Sequence, residues 1–205
     1  MILLFNGPPE SGKDDACDFL STRMGYEKIS FKTKLFSDTK RIFEISDENF
    51  ADFMNGYSDR KRKDVERPNY LGGMNRREAM IFSSEDVTKK IWGNGHYGKK
   101  VSEIIEDHKE YCSSDCGFVE EINELRDFQP IICQIVRTKK SFVNDSRTYV
   151  TGNLVKEFGK PETFSDKIKF IDGIPTIRIW NTGSLAEFLE NIKDAERFAK
   201  NVYSV

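Results

Sequence analysis

The sequence predicts a three-layer α/β fold, a five-stranded parallel sheet with helices on both faces. Three observations predict it. An apolar run, Ile2 to Phe5, ends just before Gly7 and is followed by a segment with helical spacing at Ala16, Phe19 and Leu20. A second apolar run, Ile131–Val136, is continuous, as in a strand buried on both faces. Short strand-like runs also alternate with helical ones along the chain, and consecutive strands joined by helices pair in parallel.

The elements follow in order. Strand one is Ile2–Phe5, and a helix runs from about Lys13 to Arg23. A short strand at Glu27–Ser30 leads to a helix from about Lys32 to Phe43, and another covers about Asp47 to Asn55. The run Asp59 to Arg67 holds five basic and three acidic residues and leads to a Gly72-Gly73 break. It reads either as solvated surface or as a mobile lobe whose cations close on a phosphate. The next helix starts near Asn75, with Glu78 as capping-box partner, and runs to about Ile91. A helix at about Tyr97–Lys109, a strand at Tyr111–Ser114 and a helix at Val119–Arg126 precede the strand Ile131–Val136. A polar stretch from Arg137 to about Phe170 reads as a lid or a loop. Ile174–Trp180 is the last strand, and Ser184 with Glu187 caps a final amphipathic helix to about Asn201. All of this forms one domain over residues 1–205, with an insert at about 44–74 and a lid region at about 137–170.

Composition narrows the function. The 205 residues carry a formal net charge of −2, which gives no support for general nucleic-acid binding, because affinity there comes largely from neutralising phosphates. Sixteen Phe and seven Tyr argue against disorder. No apolar run approaches the roughly 18 residues of a membrane helix, and no signal peptide is legible at the start. A cytoplasmic protein is expected. Cys112 and Cys116 are spaced as half a zinc site, but no second pair follows, and His96 and His108 are too scattered to complete one. Cys17, Cys112, Cys116 and Cys133 are therefore read as buried thiols.

The chemistry concentrates at Gly7-Pro8-Pro9-Glu10-Ser11-Gly12-Lys13-Asp14-Asp15. Gly, four residues, then Gly-Lys between a strand and a helix is the context of a phosphate-binding loop, whose backbone N–H groups wrap a phosphate at a helix N-terminus. Lys13 would reach the β- and γ-phosphates. Asp14 stands where Ser or Thr is usual, and its carboxylate suits magnesium, directly or through water. Ligands of such sheets bind beyond the carboxyl ends of the strands, where the loop, Asp115, Arg137 and Asn181 converge. Asp115 either orients magnesium or caps the helix after it. Arg76 and Arg77 at a helix start oppose its dipole; an anionic substrate or simple solubility would explain them. Arg137, Lys139, Lys140 and Arg147 would supply cations to a moving phosphoryl group.

Taken together, these segments resemble the deoxynucleoside monophosphate kinases of bacteriophages, whose fold is P-loop kinase-like. The loop Gly7–Asp14 is similar to that family's form, which also carries Asp after the lysine. Ile29-Ser30-Phe31 with Lys34-Leu35, Arg77-Glu78-Ala79-Met80 with Ser84-Glu85, and Asn181-Thr182-Gly183-Ser184-Leu185 match further family segments. Gly117 departs from the family, which usually carries arginine there, as do Asp15 for Thr and Ser83 for Gly. The resemblance implies ATP and Mg²⁺ as cofactors and transfer of the γ-phosphoryl group to a deoxynucleoside 5′-monophosphate in the host cytoplasm. It implies an ATP site of Gly7, Glu10, Ser11, Gly12, Lys13, Asp14, Asp15, Asn181, Gly183 and Ser184, with the Asn181–Ser184 turn bordering the adenine. Magnesium falls to Asp14 and Asp115, catalysis to these two with Lys13 and Arg137, and the lid to Lys139, Lys140 and Arg147. The acceptor falls to Phe31, Lys34, Lys63, Arg76, Arg77 and Glu85. Two other readings stay open: a related kinase acting on a hydroxymethylated pyrimidine in DNA, and a nucleotide-binding regulator without catalysis. A homodimer is compatible with the sequence.

Overall fold

The computed structural model describes residues 1–137 and 168–203, and the chain divides into two compact units, Met1–Ser30 with Val101–Val205, and Phe31–Lys100. In chain order the elements are β1 (Ile2–Asn6), α1 (Lys13–Met24), β2 (Glu27–Lys28), α2 (Lys32–Ile42), α3 (Asp47–Ser58), α4 (Arg60–Val65) and α5 (Arg76–Ile81). A π-helical turn (Phe82–Thr88) joins α5 to α6 (Lys89–Trp92). Then come α7 (His96–Ser102), β3 (Tyr111–Ser113), α8 (Val119–Asn123), β4 (Pro130–Val136), β5 (Ile168–Ile171), β6 (Ile174–Trp180) and α9 (Leu185–Val202).

The described residues of the first unit form a mostly parallel sheet of order β2-β3-β1-β4-β6-β5, with six strands where the sequence predicts five. The added strand, β5, runs antiparallel to β6. Its turn is Asp172-Gly173, both at positive φ (49° and 79°), as the tightest hairpin turns require. That dipeptide was the legible signal for the extra strand. All five residues of β1 are buried, as a strand flanked on each side by another demands. Leu3, Phe5, Cys133, Ile135, Ile177 and Ile179 share one core with Ala16, Cys17 and Leu20 of α1 and with Phe188, Ile192 and Ala195 of α9. The four cysteines are free and buried, and burial pushes the Cys116 thiol well above its ordinary pKa.

Several boundaries differ from expectation. The helix expected over Tyr97–Lys109 stops at Ser102. Beyond it Glu106 donates its N–H to the Tyr111 hydroxyl (3.0 Å), and His108 takes a positive φ of 69° that no helix continues through. The helix expected to Arg126 ends at Asn123, followed by a single 3₁₀ turn at Arg126–Phe128. The capping boxes at Asn75–Glu78 and Ser184–Glu187 both form.

The second unit is helical around Ile45, Phe53, Leu71, Ala79 and Met80. Phe36 meets the rings of Phe53 and Tyr57 edge-on at 6.4 and 5.0 Å. Beside this core lies an ion network. Arg76, 1% exposed, donates to Asp52 (2.7 Å) and Glu66 (2.9 Å). Arg62 bonds the same two carboxylates, and the Tyr70 hydroxyl donates to Asp52 at 2.7 Å.

The network sets an acid response. The Tyr70 hydroxyl, with the two arginines, holds Asp52 below the usual carboxylate range, and Arg62 does the same for Glu66. With folded-state values depressed, the unfolded chain takes up protons first. The stabilisation is complete above the unfolded values near ~4 and is lost as pH falls through the lower folded ones. Denaturant midpoints for this unit are expected to hold from neutral pH to about 4 and then fall. Tyr70→Phe should shrink that fall; an identical acid profile in the variant would exclude the Tyr70–Asp52 hydrogen bond as a cause.

Candidate functional site

The site of the first unit grows from β1. The strand ends at buried Asn6, and the chain turns through Gly7, Pro8, Pro9, Glu10 and Ser11 before α1 begins after Gly12. Close packing explains both glycines. A Cβ on Gly7 would stand 2.7 Å from Ser11 Oγ and 2.8 Å from the Ile135 carbonyl oxygen. Gly12 sits at φ 104°, and a Cβ there would stand 2.6 Å from Asn181 Nδ2. Gly12 is also the N-cap of α1 and supplies no side-chain cap. The first N–H groups of a helix lack intrahelical acceptors, so an uncapped start is a ready anion site.

Lys13 closes the loop upon itself. Its Nζ donates to the carbonyls of Gly7 and Pro8, both at 2.8 Å. The lysine charge is thereby held across the turn rather than extended along α1. Arg137, just past β4, donates Nη1 to the Glu10 carbonyl at 2.7 Å, and Glu10 takes φ 61°. Asn181, just past β6, donates Nδ2 to the Ser11 carbonyl at 2.8 Å. Ser11 Oγ is fully buried with no hydrogen-bond partner among the described residues, an orphan polar atom inside the loop.

Two carboxylates stand at the exit of β3. Ser114 Oγ donates to Asp14 at 2.6 Å, which ties the first turn of α1 to that exit. Asp115 accepts from Ser30 Oγ (2.5 Å) and Ser113 Oγ (2.7 Å). The capping role open to Asp115 is not taken, because α8 begins at Val119 with Phe118 as its N-cap. Among the described residues no group of three His, Cys, Asp or Glu side chains is placed to hold a metal. Magnesium needs fewer protein ligands, commonly one or two carboxylates completed by water and substrate phosphates. Asp14 and Asp115 fit that ion, and the orphan Ser11 hydroxyl with the uncapped α1 start fits a phosphate.

Folding thus brings together Gly7, Glu10, Ser11, Gly12, Lys13, Asp14, Asp115, Arg137 and Asn181. Asp15 is exposed in the first turn of α1. Ser184 is the N-cap of α9, accepting from the Glu187 N–H at 3.3 Å, and a Cβ on Gly183 would meet the Glu187 carboxylate. Lys139, Lys140 and Arg147 lie outside the described residues.

The remaining candidates belong to the second unit. Phe31 is buried at the N-cap of α2, and Lys34 pairs with Asp38 at 2.7 Å. Lys63 Nζ lies 4.9 Å over the Tyr57 ring. Arg77 pairs with Asp64 at 2.8 Å. Arg76 is engaged by Asp52 and Glu66, so acids offset the helix dipole that its charge opposes. Glu85 sits in the π turn and accepts from Ser84 Oγ (2.8 Å) and Lys89 (2.9 Å). Such turns recur at functional sites. The sequence reading missed the turn and missed the hydroxyls of Ser30, Ser113 and Ser114, although Ser113-Ser114-Asp115 is a visible cluster of short polar residues at a strand end.

No family model matches the chain, and no curated protein matches it. Several solved structures are similar to it. One of them is a gluconokinase from Sinorhizobium meliloti 1021, at 13% identity over 98% of this chain and 94% of that one, with a TM-score of 0.41. A likeness at that level carries no argument about activity, so the functional reading rests on the site itself. No helix among the described residues is long and apolar enough to cross a membrane.

Proposed function

We propose that the protein is a phosphotransferase that moves the γ-phosphoryl group of magnesium-bound ATP to the 5′-phosphate of a deoxynucleoside monophosphate. One observation carries the reading: Lys13 is clasped across a glycine-bounded turn at the uncapped start of α1, directly after a buried strand. A loop of that shape presents backbone donors and one fixed cation to a phosphate chain. Bound MgATP supplies the phosphoryl group and the divalent charge. The protein's part is positioning and charge neutralisation. The α1 amides and Lys13 hold the phosphates, while Asp14 and Asp115 orient the magnesium and its waters. Arg137 adds charge at the loop. The acceptor phosphate is largely ionised at neutral pH, so no side chain has to remove a proton from it.

The deoxynucleotide acceptor comes from the resemblance of Arg77-Glu78-Ala79-Met80, Ser84-Glu85 and the Asn181–Ser184 turn to the phage kinases. Under it Arg77 and Lys63 hold the acceptor phosphate and Phe31, Lys34 and Glu85 contact the rest of the acceptor, whereas the buried Arg76, which the resemblance also assigns to the acceptor, serves the fold. The test is an ATP/Mg²⁺ assay against all common deoxy- and ribonucleoside monophosphates, with hydroxymethyluracil-containing DNA in parallel. Diphosphate formed from one or more deoxynucleotides is the expected result. Label entering only the modified DNA would replace it with the DNA-kinase reading, and ATP binding without transfer to anything would leave a regulator.

A further inference from the structure

We infer that Asn181 is a positioning residue of the phosphate loop, acting on phosphate through the Ser11–Gly12 peptide; this rests on the phosphate-loop reading above. The resemblance implies only a turn bordering adenine at this position. The geometry points elsewhere for the side chain. Its Nδ2 donates to the Ser11 carbonyl at 2.8 Å. A peptide unit is planar and trans, so its C=O and N–H point in opposite directions. Anchoring the Ser11 oxygen therefore fixes the direction of the Gly12 N–H, one of the donors at the uncapped start of α1.

The anchor is itself held. The Asn181 N–H donates to the Val136 carbonyl at 2.9 Å, continuing the β4–β6 pairing past the end of β6. Asn191 of α9 donates Nδ2 to the carbonyl of the preceding residue, Trp180, at 3.0 Å. Three residues on, Ser184 caps α9. The same helix brings Phe188 against Gly12, where an added Cβ would lie 3.2 Å from its ring. Gly12, at φ 104°, is thus gripped by the Asn181 amide and the Phe188 ring. A loop pre-set in this way loses little conformational freedom when phosphate arrives. Without the amide, the 11–12 peptide is free to rotate, and one donor no longer faces the anion.

Titration calorimetry with magnesium tripolyphosphate, MgATP and adenosine separates this role from a base contact. Asn181→Asp replaces the donor by a carboxylate that repels the Ser11 oxygen, and Asn181→Ser removes the donor's reach without adding charge. Both are expected to weaken tripolyphosphate and ATP in parallel, by about 10- to 100-fold for Asp and less for Ser, as loss of one hydrogen bond plus loop order would. The preference for ATP over GTP should stay unchanged. Thermal unfolding of each variant checks that the fold persists, and the adenosine response exposes any general loss. Unchanged tripolyphosphate affinity with weakened adenosine would overturn the inference in favour of a base contact. If the unaltered protein binds tripolyphosphate and both variants bind it equally well, the inference alone fails. If the unaltered protein binds neither tripolyphosphate nor ATP, the phosphate-loop reading fails and takes this one with it.

Discussion

Lys13→Ala is expected to lower phosphoryl transfer by about 10³-fold while leaving the fold intact, the scale of removing one preorganised charge from a phosphoryl-transfer site. The lysine is placed for this at no cost to the core. Its Nζ bonds to the Gly7 and Pro8 carbonyls, and those carbonyls edge the turn. Losing the two bonds should cost about 1–2 kcal/mol of stability, since water replaces them at a half-exposed position. Turnover and unfolding therefore separate. Steady-state kinetics with MgATP and the preferred acceptor, alongside a thermal melt, make the check. Near-normal turnover in Lys13→Ala would remove the kinase assignment, whereas equal loss of activity and of fold would make Lys13 a structural residue.

Gly56→Ala should destabilise the second unit by about 3 kcal/mol, although the same change at an exposed helix position gains about 1 kcal/mol. Gly56 is buried in α3, and a Cβ there would overlap Cζ and Nε of Arg76 and lie 2.6 Å from Nη2. Arg76 cannot retreat, being 1% exposed and held by Asp52 and Glu66. The methyl group must displace a buried guanidinium, and a buried charge parted from its partners is among the costliest faults in a protein interior. Urea denaturation followed by circular dichroism should show a midpoint about 1 M lower. A raised midpoint would mean that the guanidinium has room to move and that the network is looser than its distances indicate.

Arg76 also shows what kind of information a sequence holds. Its position at a helix start, against the dipole, was visible and called for a reason. Substrate and solubility were the reasons in view, because Asp52 and Glu66, 24 and 10 residues earlier, are joined to it only by folding. Asp115 behaves in the opposite way. A capping role was readable from the helix after it, yet Ser30 and Ser113 turn its carboxylate to a different use. β5 is a third case: the Asp172-Gly173 turn was legible, but a polar stretch masked the four-residue strand before it.

Features that depend on near neighbours were in the chain from the start. Buried strands at Ile2 and Ile131, the glycine-bounded turn with its lysine, and the two capping boxes each need only a few adjacent residues to form, so local spacing discloses them. Folding alone decided the rest. It set Asn181 on the Ser11 carbonyl, Arg137 on that of Glu10, and Ser114 on Asp14. These contacts span 170, 127 and 100 residues, and the order in which parallel strands assemble, not any local pattern, brings strand ends so distant in the chain to one edge of the sheet.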